Sequence, residues 1–178
     1  SLAAMLGAGA AQAATPADIL VIADKIDDLI SLDPAELFEF SAYEYNNNVY
    51  DKLIALDPKD LGPLKPGVAE SWKVADDGVT YTFKIRKGLK FHSGNPITAH
   101  DVVYSLRRAV KLKKTPSFIL TQFGFTPENA DEKIKALDDY TVQFVTNKPY
   151  APSFVYNCLT APIASVVDSK LLKEHEKD

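Results

Sequence analysis

Imidazoles and paired carboxylates are the side chains best suited to moving protons or holding metals near neutral pH. The chain offers three histidines, His92, His100 and His175, and three Asp-Asp pairs, Asp27-Asp28, Asp76-Asp77 and Asp138-Asp139. No histidine stands at metal-ligand spacing from a cysteine, an aspartate or a second histidine, and no His-Glu-x-x-His occurs. Gly-x-Ser-x-Gly, phosphate-loop and Gly-x-Gly-x-x-Gly patterns are absent too. The pairs at 76–77 and 138–139 read as turn residues, because aspartate tolerates the left-handed and Asx geometries that turns require. His100 opens a predicted helix and reads as a solvated or capping residue. Arg107-Arg108 and Lys113-Lys114 read as a solvated helix face rather than a phosphate site. A hydrolytic site would have to assemble Asp27, Asp28 and His92, and nothing in the sequence brings these together. The single cysteine, Cys158, excludes an internal disulfide and a cysteine-based zinc site.

Binding without chemistry fits the remaining signals better. The stretch ELFEFSAYEY places Phe38, Phe40, Tyr43 and Tyr45 around Glu39 and Glu44 just before a predicted helix. TPSFILTQFGF crowds Phe118, Phe123 and Phe125 into one short segment. Either cluster could be ordinary core, or a ligand wall offering stacking area with few rotatable bonds.

The elements that must carry these clusters are mixed. Asp18–Asp24 reads as a buried strand. Helical spacing of Tyr45, Val49, Leu53 and Ile54 predicts a helix from an N-cap at Ser41, stopped at Asp57-Pro58. The segment KDLGPLKPG reads as turn or loop. Val79, Tyr81, Phe83 and Ile85 alternate with Thr80, Thr82, Lys84 and Arg86, and Asp77-Gly78 joins this strand to one around Trp72. Thr98 and Asp101 form a short-acid capping box for a helix that buries Val102, Leu106 and Ala109 and turns Arg107, Arg108 and Lys111 to water. A second hairpin turns at Asp138-Asp139. Strands and helices do not alternate as in a doubly wound sheet, so the fold class is α+β. Trp72, Tyr81, Phe83 and Leu106 are expected to share one core.

With 178 residues and 46% hydrophobic content, the chain can bury one ordinary core. Twenty basic residues are spread among 24 acidic ones for a net charge of −4, which leaves no basic stripe for nucleic acid. Residues 1–13 end in Ala11-Gln12-Ala13, a small-x-small sequence, and read as the rear of a secretory signal peptide, with the mature chain starting near Ala14. SVVDSKLLKEHEKD reads as the start of an amphipathic helix. Both ends read as cut.

The run PGVAESWKVADDGVTYTFKIRKGLKFHSGNPITAHDVVYSLRRA resembles the signature region of the extracellular solute-binding proteins of the dipeptide/oligopeptide ABC-importer family (family 5). The resemblance is carried by Pro66-Gly67, Ala69 to Trp72, the Asp-Asp-Gly turn, Tyr81 to Phe83, Arg86-Lys87-Gly88, Phe91-His92, Gly94-x-Pro96 and Thr98-Ala99. Ser31 to Pro34, Val49 to Pro58 and the stretch DDYTVQFVTNKPYAPSF fit the same family. Ser93, Asn95 and His100 depart from its commonest pattern, at positions not expected to touch ligand. The resemblance implies a periplasmic-binding-protein-like clamshell, of which this chain holds only part. That part is the start of the first lobe at 14–45, an inserted small domain at 46–150 and a return to the first lobe at 151–178. The second lobe would be missing. It implies a non-enzymatic periplasmic receptor that binds a peptide, or another solute such as a sugar, opine, nickel chelate or haem. The receptor would deliver its ligand to the permease subunits of an ABC importer. It implies no cofactor, no catalytic residue, no metal, no nucleic-acid partner and a monomeric state. By the same resemblance, Phe38, Glu39, Phe40, Ser41 and Ala42 would pair with an extended ligand as an added strand does. Phe118 would supply an aromatic from the small domain. Asn157, Cys158, Leu159 and Thr160 would approach the cleft from the hinge.

Overall fold

The computed structural model describes residues 15–57, 59–60 and 62–175. Its centre is a four-stranded antiparallel sheet in the order β3-β4-β6-β5, made of β3 (Ala69–Val74), β4 (Thr80–Ile85), β5 (Ile134–Asp138) and β6 (Thr141–Val145). Register follows the alternation in the sequence. Trp72 faces Phe83, Val74 faces Tyr81, Tyr81 faces Phe144, and Phe83 faces Val142. All of these lie on one face, because side chains alternate along a strand. Tyr81, Phe83 and Val142 are fully buried there. Thr82, Lys84 and Gln143 take the other face.

The β3–β4 turn forms as its residues require. Gly78 takes φ 70°, and the Asp77 carboxylate accepts the N–H groups of Val79 and Thr80, both at 2.9 Å. Helix α2 (Ala99–Leu112) lies across β5 and β6 and buries Val102, Leu106 and Ala109. Its capping box is in place: the Thr98 N–H and hydroxyl both reach the Asp101 carboxylate, at 2.9 and 2.8 Å. Helix α5 (Pro152–Cys158) covers the β3–β4 end of the same face with Tyr156, whose ring meets Trp72, Tyr81 and Phe83 edge-on. The expected core of Trp72, Tyr81, Phe83 and Leu106 is therefore one cluster, with Trp72 at its partly buried margin.

Helix α1 (Phe40–Val49) packs near the turn Pro162–Ala164, and the chain after it meets the segment that follows the same turn. Ser165 donates to Asn46 at 3.2 Å, and the Val166 N–H donates to Asp51 at 2.9 Å. A short hairpin, β1 (Ile54–Leu56) with β2 (Leu64–Pro66), joins the two regions. Gly67 makes that junction possible: any Cβ there would collide with the Lys52 carbonyl. Helix α6 (Ser169–His175) starts on Asp168, which accepts the N–H groups of Lys170 and Leu171 at 3.1 and 3.0 Å.

Several local expectations are corrected. Asp18–Asp24 is not a strand; Leu20, Val21 and Ile22 are all more than 60% exposed, and the described residues give the segment no strand to pair with. Helix α1 begins at Phe40, with Glu39 and not Ser41 at the N-cap, and ends at Val49. It buries Ala42 and Asn46, while Tyr45 and Val49 are half-exposed; Leu53 and Ile54 are buried beyond the helix, Ile54 as the first residue of β1. Tyr50 breaks the helical spacing by adopting an extended backbone, φ −115° and ψ 139°. KDLGPLKPG contains β2 in addition to turn. Arg107 and Arg108 are not a solvated face, as their contacts below show. Residues 1–13 lie outside the described residues, so the signal-peptide reading does too.

Candidate functional site

Asp33 is the anchor of the first aromatic cluster. Its main-chain carbonyl accepts the N–H groups of Glu36 and Leu37, both at 2.9 Å, and its carboxylate accepts the Ala35 N–H at 2.9 Å. Burial alone would raise the Asp33 carboxyl. Hydrogen bonds from Arg108 and Ala35, with the charges of Arg108 and Lys114, hold it below the usual carboxylate range. The guanidinium of Arg108 forks onto both carboxylate oxygens, at 2.8 and 2.6 Å. Lys114 pairs with Glu36 at 3.1 Å. The turn at 33–37 is thus tied to the C-terminal end of α2.

That turn delivers Phe38. Beyond α2, Lys113 takes φ 52°, and a 3₁₀ turn at Thr115–Ser117 leads into α3 (Phe118–Thr121). The Phe38 and Phe118 rings meet edge to face, 5.5 Å apart at 81°. Tyr43 adds a further edge contact to Phe38 at 6.4 Å. Phe38 is 43% exposed and Phe118 52%, so the pair is a surface wall and not core. Phe123 and Phe125 of the same segment are buried, and belong to the core.

The other expected site residues are distributed less simply. Phe40 is 93% exposed. The Ser41 N–H reaches the Asp28 carboxylate at 3.4 Å, and Ser41 with Phe40 lines a surface hollow edged by Asp24, Asp27, Asp28 and Glu44. Ala42 is wholly buried. Glu39 is extended at φ −93° and ψ 150°, whereas Phe40, Ser41 and Ala42 already form the first turn of α1. Of these residues Glu39 alone has an extended backbone, and its carbonyl already accepts the Tyr43 N–H at 2.9 Å while its carboxylate accepts the Phe38 N–H at 3.1 Å; the last three can offer only helical backbone. Leu159 is buried in the core; Asn157 donates to the Ser153 carbonyl at 2.7 Å and Thr160 to that of Asn157 at 2.8 Å. Cys158 is half-buried, and that burial pushes its thiol up despite a 3.6 Å hydrogen bond from Gln122. Through Gln122, four residues after Phe118, the crossover touches the wall. Gln122 was not singled out in the sequence, and no local signal marks it.

The hydrolase arrangement is not assembled. Asp27 and Asp28 line the hollow beside Ser41, while His92 lines a separate groove of about 530 Å³ with Phe91, Ile97, Val166 and Leu171. Among the described residues no group of three or more His, Cys, Asp or Glu side chains could hold a metal ion, and no helix is long and apolar enough to cross a membrane. Ser93 and Asn95, which depart from the family's commonest pattern, both donate to Asp168, at 2.6 and 2.9 Å. They tie the 93–95 turn to the start of α6.

Residues 63–178 match the model described as bacterial extracellular solute-binding proteins, family 5 Middle. The chain belongs to this family. It is 33% identical to the probable D,D-dipeptide-binding periplasmic protein DdpA of Escherichia coli over 94% of its own length and 31% of that protein's. It is 32% identical to heme-binding protein A of Haemophilus influenzae over 67% of the chain and 24% of that protein. Its fold superposes on the crystal structure of Haemophilus influenzae OppA in complex with RPPGFSPFR with a TM-score of 0.71 at 28% identity, covering 81% of this chain and 29% of that one. The chain thus spans about a third of the length of the curated relatives it matches. As a family 5 member it has the α+β architecture of one part of a periplasmic-binding-protein-like clamshell.

Proposed function

We propose that the chain is part of a periplasmic receptor that captures a di- or oligopeptide and hands it to the permease of an ABC importer. The first lobe is read as 14–45 with 151–178, the small domain as 46–150, and the first boundary is better placed after α1 than within it. The observation that carries the reading is the meeting of Phe38 and Phe118, which brings the two aromatic clusters to one exposed wall. An extended peptide needs apolar surface for its side chains and main-chain partners for its backbone. Phe38 with Phe118 supplies the first, and the backbone at Phe38 and Glu39 the second, once its bonds to the Glu39 carboxylate and the Tyr43 N–H are exchanged for the ligand's. Phe40 and Ser41 follow the wall at the start of α1, whereas Ala42 is buried and acts only through packing; Cys158 borders the wall through Gln122, with Asn157 and Thr160 beside it and Leu159 in the core. Binding is non-covalent and the protein catalyses nothing. It acts as a monomer, secreted through a cleaved signal peptide.

The relatives support peptide as the ligand: one is named for D,D-dipeptides and one is solved with RPPGFSPFR. A second reading, a flat aromatic solute in place of a peptide, is favoured by the likeness to a heme-binding protein, since edge-exposed phenylalanines also stack on planar rings. Titration of the chain with a pool of di- to pentapeptides and, separately, with haem distinguishes them. Ring-proton shifts at Phe38 and Phe118 with peptides, and none with haem, fit the first reading. A haem absorbance shift without any peptide response replaces it with the second.

A further inference from the structure

Arg107 and Arg108 are neighbours on α2 that grip opposite partners. Arg107 donates to the carbonyls of Ile134 and Asp131, both at 2.8 Å, and pairs with the Asp131 carboxylate at 3.3 Å. These bonds hold α2 to the short helix α4 (Ala130–Lys133) and the start of β5. Arg108 holds the turn at 33–37 through Asp33. One helix therefore links the sheet of the small domain to the loop that carries Phe38. Just past its end, the left-handed Lys113 is the only non-glycine residue with positive φ among those described. It redirects the chain so that Lys114 meets Glu36 and the next turn presents Phe118 to Phe38.

We propose that Arg108 is a positioning residue for the ligand wall, setting the distance and angle between Phe38 and Phe118 through its two-pronged hold on Asp33. A single contact would leave the turn free to pivot; the fork fixes a plane, and Lys114–Glu36 supplies a second point. The pair is sheltered, with side chains 20% and 30% exposed, unlike the open surface pairs that contribute little. The hold also travels a short path. The Asp33 carboxylate that receives Arg108 accepts the Ala35 N–H, and the Asp33 carbonyl accepts those of Glu36 and Leu37, one residue before Phe38. Lysine at position 108 would keep the charge and lose the fork. The functional meaning of this arrangement rests on the peptide-wall reading above, whereas the geometry stands without it.

The test uses the 178-residue chain with isotope-labelled phenylalanine. The cross-relaxation peak between the Phe38 and Phe118 rings is measured against that between Phe83 and Phe144 in the core. Arg108→Lys is expected to lose the first peak and keep the second, and Lys114→Gln to weaken the first only. Trialanine affinity is measured in parallel, with Phe38→Ala as reference. If Phe38→Ala leaves trialanine binding unchanged, the wall reading fails while the ring peaks still decide the positioning. If Phe38→Ala weakens binding, Arg108→Lys should weaken it as well without a fall in core stability. An unchanged Phe38–Phe118 peak in Arg108→Lys overturns the proposal. Should Arg108→Lys not fold, Asp33→Asn and Lys114→Gln carry the same readout.

Discussion

Phe83→Ala removes the ring at the middle of the sheet's packed face. Phe83 is wholly buried, stacks on Phe144 at 5.4 Å and 28°, and receives the Tyr156 ring edge-on at 6.4 Å. Truncating a buried phenylalanine costs about 3–5 kcal/mol from lost transfer energy and the cavity left behind. Aromatic pairs contribute about 0.5–1.5 kcal/mol beyond their area, so two such contacts place this site in the upper half of that range. Neighbours on β4 and β6 are held by the strand ladder, which limits collapse into the hole. With a urea dependence of about 2 kcal/mol per molar, a loss of about 4 kcal/mol moves the midpoint down by about 2 M. That is a large share of the roughly 5–15 kcal/mol a domain has, so Phe83→Leu is the companion variant should Phe83→Ala not fold. Thr82→Ala, on the opposite face of the same strand, should stay within about 0.5 kcal/mol. A loss below about 1 kcal/mol for Phe83→Ala in urea titration would refute the placement of the core on this face.

Phe118→Ala should leave the urea midpoint nearly unchanged, since half its surface is already wet, yet abolish the ring shifts that peptides cause at Phe38. For Asp168, burial alone would raise the carboxyl, but bonds from Ser93, Leu171, Asn95 and Lys170 leave it below its ordinary value. A depressed carboxyl stabilises the fold above the unfolded pKa, near about 3.9, and that share is lost as pH falls through the folded value. Asp168→Asn should therefore cost about 1–3 kcal/mol at pH 7 and flatten the acid limb of a stability-versus-pH curve. Gly67→Ala should cost about 1–3 kcal/mol by urea titration, because its methyl meets the rigid Lys52 carbonyl and the β1–β2 junction must open.

What the sequence made legible was local. The alternation at 79–85, the Asp-Gly turn and the Thr98–Asp101 box each encode their structure within a few residues, and α2 runs over the residues expected of it. Long-range pairing was not legible in that way. Nothing within reach of Arg108 names Asp33, 75 positions away, so two adjacent arginines looked like a solvated face. Asn46 and Ser165 meet from still further apart. Ser41 has cap chemistry, yet the cap of α1 falls two residues earlier, at Glu39. Of the candidate site, residue types identified both aromatic clusters. Only the fold separates the exposed Phe38 and Phe118 from the buried Phe123 and Phe125. Asp18–Asp24 shows the converse limit: an apolar β-prone run is a strand only where another strand lies beside it.

The central claim is that peptide lies along the Phe38–Phe118 wall. Backbone and ring resonances of the chain, followed during titration with a pool of di- to pentapeptides, test it directly. The account predicts weak, saturable shifts concentrated at residues 38–42, at Phe118 and Gln122, and at 157–160. Shifts centred instead on the groove of Phe91, Ile97, Val166 and Leu171, with Phe38 and Phe118 unmoved, would contradict it.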